Sequence, residues 1–270
     1  MALTETAYAK INLALHVRKR REDGYHELET LFAFVDDGDK LVASPASRDV
    51  LHVKGEFASA LDDPFGNIVA KALAKLKHVP GWSVQLEKRL PVAAGLGGGS
   101  ADAGAIFRMV ERWGKLPDNW HEIATALGAD VPACVRSETC IGTGTGADLA
   151  PIESDLVGTP VLLVNPRVPL ATGPVFKAWD GVDRGAMPTG KVSEIALAGR
   201  NDLEAPAIAL CPPVADVLSA LAATDPLLAR MSGSGATCFA LYRSHDVMSE
   251  AAERIAADRP DWWQMQGRLR

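Results

Sequence analysis

The chain opens with a strict alternation of apolar and polar residues. Between residues 6 and 18, one side of the alternation consists of Ala7, Ala9, Ile11, Leu13, Leu15 and Val17. Successive side chains of a β-strand point to opposite faces. The pattern therefore predicts a half-buried strand with Lys10 and Asn12 together on its polar face, about 7 Å apart. Without other evidence, a lone lysine on a strand face is more often plain solvent-facing surface.

The same two periodicities predict elements along the rest of the chain. Strands are indicated at 28–35, 41–43, 50–53, 82–86, 160–164, 238–242 and 262–269, and helices at 67–76, 120–127, 170–179, 202–210, 213–222 and 247–257. We interpret 142–146 as a flexible turn and the glycine-rich stretch 180–191 as mobile. A shift in composition near Ala150 predicts two domains, 1–153 and 154–270, the second a small α+β domain.

A glycine-rich stretch stands between a predicted strand and an apolar helical run. Four glycines fall within the five positions 95–99, and helical spacing of apolar residues follows from Ala105 to Val110. Glycine permits positive φ and leaves room for backbone N–H groups to surround an anion, which the positive end of a helix also attracts. This predicts a nucleotide phosphate site, with a tight packing turn as the alternative. A Walker-type loop is excluded because no Gly-Lys-Ser/Thr triplet occurs, and Ser100 breaks a dinucleotide fingerprint.

An acidic residue occupies a restricted position after the predicted helix 120–127. Asp130 lies between Gly128, a typical helix end, and Pro132, which limits the conformation of the residues before it. A carboxylate held in this way is a candidate catalytic group. A helix cap is the alternative interpretation.

Composition narrows the class of protein. The chain has 270 residues, 47% of them hydrophobic, and a formal net charge of −6. This charge argues against a general binder of nucleic acids or anionic membranes, and no stretch approaches the roughly 20 apolar residues of a membrane helix. The N-terminal residues lack the layout of a signal peptide, and the cysteines Cys134, Cys140, Cys211 and Cys238 lack metal-binding spacing. We expect a cytoplasmic protein with reduced thiols.

Three motifs in this order resemble the kinase superfamily named for galactokinase, homoserine kinase, mevalonate kinase and phosphomevalonate kinase. They are Lys10 and Asn12 on the first strand, the glycine stretch, and Ser232-Gly233-Ser234-Gly235. The phosphate motif of the superfamily, Pro-x-x-x-Gly-Leu-Gly-x-Gly-Ser-Ser/Ala, is matched by Pro91, Val92, Ala93, Ala94, Gly95, Leu96, Gly97, Gly98, Gly99, Ser100 and Ala101. The resemblance implies an α+β fold of two domains, an N-terminal β/α domain (ribosomal protein S5 domain 2-like) and a C-terminal ferredoxin-like α/β sandwich.

Within the superfamily, the chain resembles the branch that acts on a cytidylyl substrate. Ala9-Lys10-Ile11-Asn12-Leu13 and the turn Asp23-Gly24-Tyr25-His26 carry this likeness, together with Gly128-Ala129-Asp130-Val131-Pro132 and Asn201-Asp202-Leu203-Glu204. It implies phosphorylation of the 2-hydroxyl of 4-diphosphocytidyl-2-C-methyl-D-erythritol by ATP with Mg²⁺, a step of the non-mevalonate route to isoprenoid precursors. The sequence departs from this branch at Gly104, where alanine is common.

The resemblance also implies roles for individual residues. Asp130 and Lys10 match the catalytic pair, and the glycine motif, Pro91 to Ala101, would bind ATP. Asn12 lies beside the catalytic lysine, while Tyr25, His26 and Phe176 would hold the cytosine ring. No residue is assigned to metal binding. The expected partner is a small cytidine diphosphate derivative, and the expected assembly is a monomer or weak homodimer.

Three other functions remain as alternatives. Another small-alcohol kinase of the superfamily would share the ATP loop but not the need for an aromatic turn that suits a nucleobase. A non-enzymatic nucleotide-binding regulator would not require Lys10 and Asp130, which are both present. A dehydrogenase is disfavoured by the broken dinucleotide fingerprint.

Overall fold

The chain folds into two compact units. The computed structural model describes residues 2–61, 66–76, 78 and 80–270. Unit 1 comprises Met1–Lys10, Asp37–Val92 and Gly97–Ser137, and unit 2 comprises Ile11–Asp36, Ala93–Leu96 and Glu138–Arg270. The two long strands β1 (Leu3–Arg20) and β2 (His26–Ala46), which pair with each other, each contribute to both units. The predicted domain boundary between residues 153 and 154 stays a prediction.

The described residues of unit 1 form a small sheet, four α-helices and one 3₁₀ helix. β4 (Gly81–Glu87) pairs antiparallel with the C-terminal part of β2 and parallel with β3 (Val50–Lys54). A short 3₁₀ helix (Ala58–Leu61) follows β3. The helices are α1 (Ile68–Lys75), α2 (Gly98–Trp113), α3 (Trp120–Leu127) and α4 (Val131–Arg136).

Unit 2 contains the remaining strands and helices. β5 (Cys140–Gly144) pairs with the N-terminal part of β2 and with β6 (Asp148–Pro151). A second, fully antiparallel sheet is formed by β7 (Pro160–Asn165), β8 (Leu228–Met231), β9 (Cys238–Leu241) and β10 (Trp263–Arg268) in the order β10-β7-β9-β8. The helices are α5 (Thr172–Ala178), α6 (Val192–Ala198), α7 (Glu204–Leu210), α8 (Pro213–Ala222) and α9 (His245–Asp258).

The second sheet confirms the ferredoxin-like prediction for the C-terminal part of the chain. Its four strands, numbered along the chain, lie in the order 4-1-3-2, with helices between the first and second strands and between the third and fourth. One core joins the sheet to the helices, with Leu162 and Cys238 from the strands packing with Val217 and Ile255. Periodicity predicted β7, β9, β10 and the helices α5, α7, α8 and α9, but it did not predict α6 or β8.

Two sequence predictions about local structure are wrong. Residues 28–35 and 41–43 are parts of one strand, β2, because the polar residues between them are bonded within the structure and do not break the strand. Asp39, for example, accepts the backbone N–H of Leu90 at 2.8 Å. Residues 142–144 are not part of a flexible turn but the end of β5.

The first strand is also more buried than its alternation predicts. Its polar residues Lys10, Asn12 and His16 are buried along with the apolar ones. The strand is thus covered on both faces between residues 9 and 17, which excludes the interpretation of Lys10 as plain surface.

The glycine-rich stretch 180–191 was predicted to be mobile. In the structure it is an irregular segment that contacts β1 and β2 within unit 2. Arg18 forms ion pairs with Asp183 at 2.9 Å and Glu29 at 2.6 Å. Glu29 also accepts the backbone N–H of Met187 at 2.5 Å. These contacts give the segment a defined path.

The remaining sequence expectations concern thiols and membranes. All four cysteines are free and buried, as predicted. Within the described part of the chain, no helix has both the length and the apolar character that crossing a membrane requires.

Candidate active site

In unit 1, a buried lysine and a half-exposed aspartate face each other. The Nζ atom of Lys10 lies 3.1 Å from Oδ2 of Asp130. The Lys10 side chain is 4% exposed and that of Asp130 is 34% exposed. Asp130 stands at the N-cap position of α4, yet its side chain makes no capping hydrogen bond. The carboxylate is therefore directed to the lysine, which weighs against the helix-cap interpretation.

The close packing of α4 on α2 places Asp130. A Cβ atom on Gly104 of α2 would lie 2.4 Å from the carbonyl oxygen of Cys134 in α4, a distance at which backbone would have to move. Gly104, where the sequence departs from the branch it resembles, thus fits a close approach of the two helices. Because Asp130 begins α4, this approach sets the position of its carboxylate.

The second half of the glycine motif forms the start of α2. Gly97 has φ of 61° at the N-cap and provides no side-chain cap. The first helical hydrogen bond runs from the Ala101 N–H to the Gly97 oxygen at 2.7 Å, so the N–H groups of Gly98, Gly99 and Ser100 are not used within the helix. Such an end attracts anions.

Gly97 brings the loop and the charged pair together. A Cβ atom added to it would lie 3.0 Å from Cε of Lys10 and 3.8 Å from Oδ2 of Asp130. Only a residue without a side chain leaves the space beside the pair open. The structure thus places three of the sequence-predicted site elements in one location.

Three buried charged residues beside the loop were not predicted as site residues. Lys88 forms ion pairs with Asp39 and, at 2.8 Å, with Asp102, and all three are almost fully buried. A signal was present in Asp102, a charged residue inside the small-residue start of α2. The other two members are Asp39 of β2 and Lys88 just after β4, and local sequence patterns do not identify them.

In unit 2, the first half of the glycine motif is backed by the Ser-Gly-Ser-Gly motif. The Ser232 hydroxyl donates to the Gly95 carbonyl at 2.8 Å, and the Thr237 N–H donates to the Ala94 carbonyl at 3.1 Å. Gly95 has a φ of 77°, and a Cβ atom there would lie 2.2 Å from the backbone carbonyl oxygen of Ser232. The two glycine-containing motifs, 137 residues apart, therefore depend on each other for their local shape.

Asn12 is part of the same hydrogen-bonded group in unit 2. Its backbone N–H donates to the Ser232 hydroxyl at 3.3 Å, and its side-chain amide donates to the Thr30 hydroxyl at 2.7 Å. The Thr30 hydroxyl in turn donates to the carbonyl of Ala14 at 2.8 Å. The orientation of the amide is thereby fixed, while the predicted role of Asn12 in substrate binding stays a prediction.

An aromatic group in unit 2 includes two of the residues predicted to hold the cytosine. The rings of His26 and Phe176 have centroids 5.0 Å apart, and Trp179, not predicted, lies 5.8 Å from His26 edge-on. Tyr25 is 63% exposed at the turn before β2. Burial, and after it the charge of Arg20, lowers the pKa of His26. A neutral imidazole suits recognition of an uncharged base.

Among the described residues, two buried nitrogens of this aromatic group have no hydrogen-bond partner. They are Nε2 of His26 and Nε1 of Trp179. Buried polar groups are normally satisfied, so each one left without a partner in a folded protein needs a physical explanation.

Two family models match separate parts of the chain. The model described as the GHMP kinase N-terminal domain matches residues 67–151, and that described as the GHMP kinase C-terminal domain matches residues 190–260. The two matches together span more than half of the chain, which therefore belongs to the class of the GHMP kinases.

Similar proteins narrow the assignment. A 4-diphosphocytidyl-2-C-methyl-D-erythritol kinase of Novosphingobium aromaticivorans is 68% identical, covering 100% of this chain and 94% of the relative. One of Erythrobacter litoralis is 64% identical over 99% of both chains. A crystal structure of 4-(cytidine 5'-diphospho)-2C-methyl-D-erythritol kinase is 31% identical, with a TM-score of 0.80 and 99% of both chains covered. The chain belongs to the family of 4-diphosphocytidyl-2-C-methyl-D-erythritol kinases, which are ATP-dependent kinases.

Proposed function

We propose that this chain transfers a phosphoryl group from ATP to the 2-hydroxyl of 4-diphosphocytidyl-2-C-methyl-D-erythritol, in the non-mevalonate route to isoprenoid precursors. Its membership of the family supports the reaction. The observation that carries the assignment of catalytic residues is the 3.1 Å pair of Lys10 and Asp130 beside the open face of Gly97. Phosphoryl transfer requires positioning and charge stabilisation more than covalent chemistry, and these groups can provide both.

The start of α2 fits a nucleotide triphosphate. Its first N–H groups are not used within the helix, Gly97 leaves the space before them open, and the Lys10 ammonium borders that space. We assign phosphate binding to Gly97, Gly98, Gly99 and Ser100, with residues 91–96 and Ala101 completing the loop. ATP supplies the transferable phosphoryl group, and Mg²⁺ enters as the ATP complex.

Asp130 is the proposed general base. Its carboxylate is 34% exposed, so a substrate hydroxyl can reach it, and Oδ2 is already paired with a cation. In this assignment Asp130 accepts the proton of the 2-hydroxyl. Lys10 orients the carboxylate and offsets negative charge that develops on the transferred phosphoryl group.

The aromatic group is the proposed site of the cytosine ring. We assign stacking to Tyr25 and the opposite wall to Phe176, with His26 providing a buried nitrogen free to hydrogen-bond the base. Asn12, two positions after Lys10 on β1, is assigned to substrate binding. The exposure of Tyr25 is consistent with a side chain whose partner is a ligand.

Further features complete the proposal. We propose that the protein works in the cytoplasm on this small molecule as a monomer or weak homodimer, without nucleic acid or membrane partners. The proposed domains are 1–153 for ATP binding and 154–270 for the C-terminal kinase domain.

A substrate panel tests the function. Purified protein is incubated with Mg-ATP and, separately, with the cytidylyl alcohol, mevalonate and homoserine, and release of ADP is measured. We expect turnover with the cytidylyl alcohol that exceeds the others by orders of magnitude. Turnover with mevalonate or homoserine instead would assign the chain to another alcohol kinase, and no turnover with any alcohol would favour a nucleotide-binding regulator.

A further inference from the structure

The buried residues Lys88, Asp39 and Asp102 lie next to Gly98, the first residue of α2. A Cβ atom added to Gly98 would lie 3.1 Å from Nζ of Lys88 and 3.8 Å from Oδ2 of Asp39. Asp102 lies one turn further along the same helix and binds the same ammonium at 2.8 Å. This Lys88 cluster, defined as Lys88, Asp39 and Asp102, therefore contacts the backbone that begins the phosphate loop's helix.

The cluster holds two carboxylates and one ammonium away from water. Lys88 and Asp102 are each 2% exposed, and Asp39 is fully buried. Two ionised carboxylates would leave a net negative charge buried below a site that has to accept a triphosphate. Burying such an excess charge is costly, and a carboxyl group in this position tends to keep its proton.

The hydrogen bonds favour Asp102 over Asp39 as the carboxyl group that keeps its proton. Both oxygens of Asp39 act as acceptors. Oδ2 accepts from the Lys88 ammonium, and Oδ1 accepts the backbone N–H of Arg89 at 2.5 Å and that of Leu90 at 2.8 Å. Asp102 accepts only from Lys88, through Oδ2, and its buried Oδ1 has no partner among the described residues. Asp102 is thus the less stabilised as an anion.

The pKa values agree with this reading of the geometry. Burial raises the pKa of Asp102 to about 8; the Lys88 ammonium opposes the rise, and the Asp39 carboxylate adds to it. Burial lowers the pKa of Lys88, but its two carboxylate partners outweigh burial and raise it. The ammonium stays charged while Asp102 is close to its titration midpoint in mildly alkaline solution.

We propose that Lys88, Asp39 and Asp102 are positioning residues for nucleotide binding, because they pack against the start of α2 and fix its position. In this arrangement Asp102 is a neutral carboxylic acid. The inference rests on the proposed ATP site. Ionisation of Asp102 would place a negative charge one helical turn below the phosphates, and the affinity for ATP would fall.

Equilibrium binding of Mg-ATP without any alcohol tests the proposal. Kd is measured between pH 7 and pH 9.5 for the wild type, Asp102→Asn and Asp102→Ala. Asn is uncharged and keeps an acceptor for Lys88. We expect the wild-type Kd to rise about five- to tenfold across this range relative to that of Asp102→Asn, as one added charge at low effective dielectric requires. Charge changes on ATP and elsewhere affect both proteins and cancel in the ratio.

The alanine variant and a control complete the experiment. Asp102→Ala, which leaves Lys88 one acceptor short, should bind Mg-ATP about tenfold more weakly than Asp102→Asn at pH 7. Asp37→Ala is the matched control, because Asp37 pairs with Arg89 at 2.8 Å in the same region but is partly exposed. Its Kd should equal that of the wild type. If Asp102→Ala does not fold, the comparison of wild type with Asp102→Asn decides alone.

Parallel pH profiles for the wild type and Asp102→Asn would overturn the proposal, and so would equal Kd values for the asparagine and alanine variants at pH 7. The proposed function fails separately, in the substrate panel. A chain that binds Mg-ATP but phosphorylates none of the alcohols would leave the binding result intact.

Discussion

Lys10 and Asp130, 120 positions apart in the sequence, meet at 3.1 Å beside the start of α2. The lysine side chain is buried and the aspartate side chain is partly exposed, so the carboxylate of the pair is accessible to a substrate while the ammonium is held inside the protein. Asp130 occupies a helix N-cap position without capping the helix. A capping position whose side chain is directed elsewhere is consistent with the catalytic role proposed for Asp130.

Removing the ammonium should slow phosphoryl transfer. Lys10→Met keeps the length of the side chain but not its charge, and we expect kcat to fall about 10²- to 10³-fold, as for loss of one preorganised electrostatic group. Steady-state turnover of the cytidylyl alcohol with saturating Mg-ATP measures this. Lys115→Met, at a lysine with an 83% exposed side chain, should leave kcat unchanged. A Lys10→Met enzyme with wild-type kcat would remove Lys10 from the catalytic pair.

A side chain at Gly97 should disturb the pair and the loop together. Gly97→Ala forces a Cβ into positive φ and to within 3.0 Å of Lys10 Cε. We expect kcat to fall at least about tenfold, because small displacements of reacting groups are costly. The control is Gly173→Ala, where a Cβ meets nothing within 4 Å. If both variants retain wild-type kcat, the space beside Gly97 is not used by the reaction.

Loss of the exposed tyrosine should weaken one substrate only. Stacking on a base contributes roughly 1–3 kcal/mol, so Tyr25→Ala should raise the KM for the cytidylyl alcohol about 5- to 100-fold and leave that for ATP within about twofold. Tyr25→Phe retains the ring and should stay near wild type. Kinetic titration of each substrate separates these effects. An equal rise of both KM values would indicate a general loss of structure.

The stability of unit 2 should depend on pH through His16. Burial, followed by the charge of Arg200, lowers the pKa of His16. Its Nε2 accepts the Arg200 N–H at 3.2 Å, and Nδ1 lies 3.3 Å from the Gly185 carbonyl, an arrangement that suits the neutral ring. The unfolded chain therefore binds a proton more readily than the folded one. Stability is complete above the unfolded pKa of about 6.5 and decreases as the pH falls below it.

Urea unfolding between pH 8 and pH 5 measures this dependence. One such histidine contributes a slope of at most about 1.4 kcal/mol per pH unit, and His16→Gln should lose that contribution. His245→Gln, at an exposed position on α9, is the control. Identical slopes for the wild type and His16→Gln would show that the ring does not titrate differently on folding.

Local patterns predicted most elements but not the contacts between distant segments. The glycine stretch, β1 and the helices α5, α7, α8 and α9 follow from spacing that is visible within 10 to 15 residues, whereas α6 was not predicted. Asp130 could be recognised as restricted, but its lysine partner is found only in the folded structure and through the family likeness. The polar residues around Asp39 suggested a break in β2 because their buried partners come from remote positions.

The buried cluster shows the same limit. Lys88 follows a strand and precedes the loop, where a charged residue ordinarily indicates exposure, and yet it is 2% exposed. Its partners are 49 and 14 positions away. Trp179 was likewise placed in a predicted helix, but periodicity gave no reason to expect its ring beside His26.

The most direct test of the catalytic assignment is Asp130→Asn with Mg-ATP and 4-diphosphocytidyl-2-C-methyl-D-erythritol. Asparagine preserves the size of the side chain but accepts a proton poorly. The assignment predicts a kcat reduced about 10²- to 10⁴-fold, with the Kd for Mg-ATP within about twofold of wild type. A kcat close to wild type would contradict it.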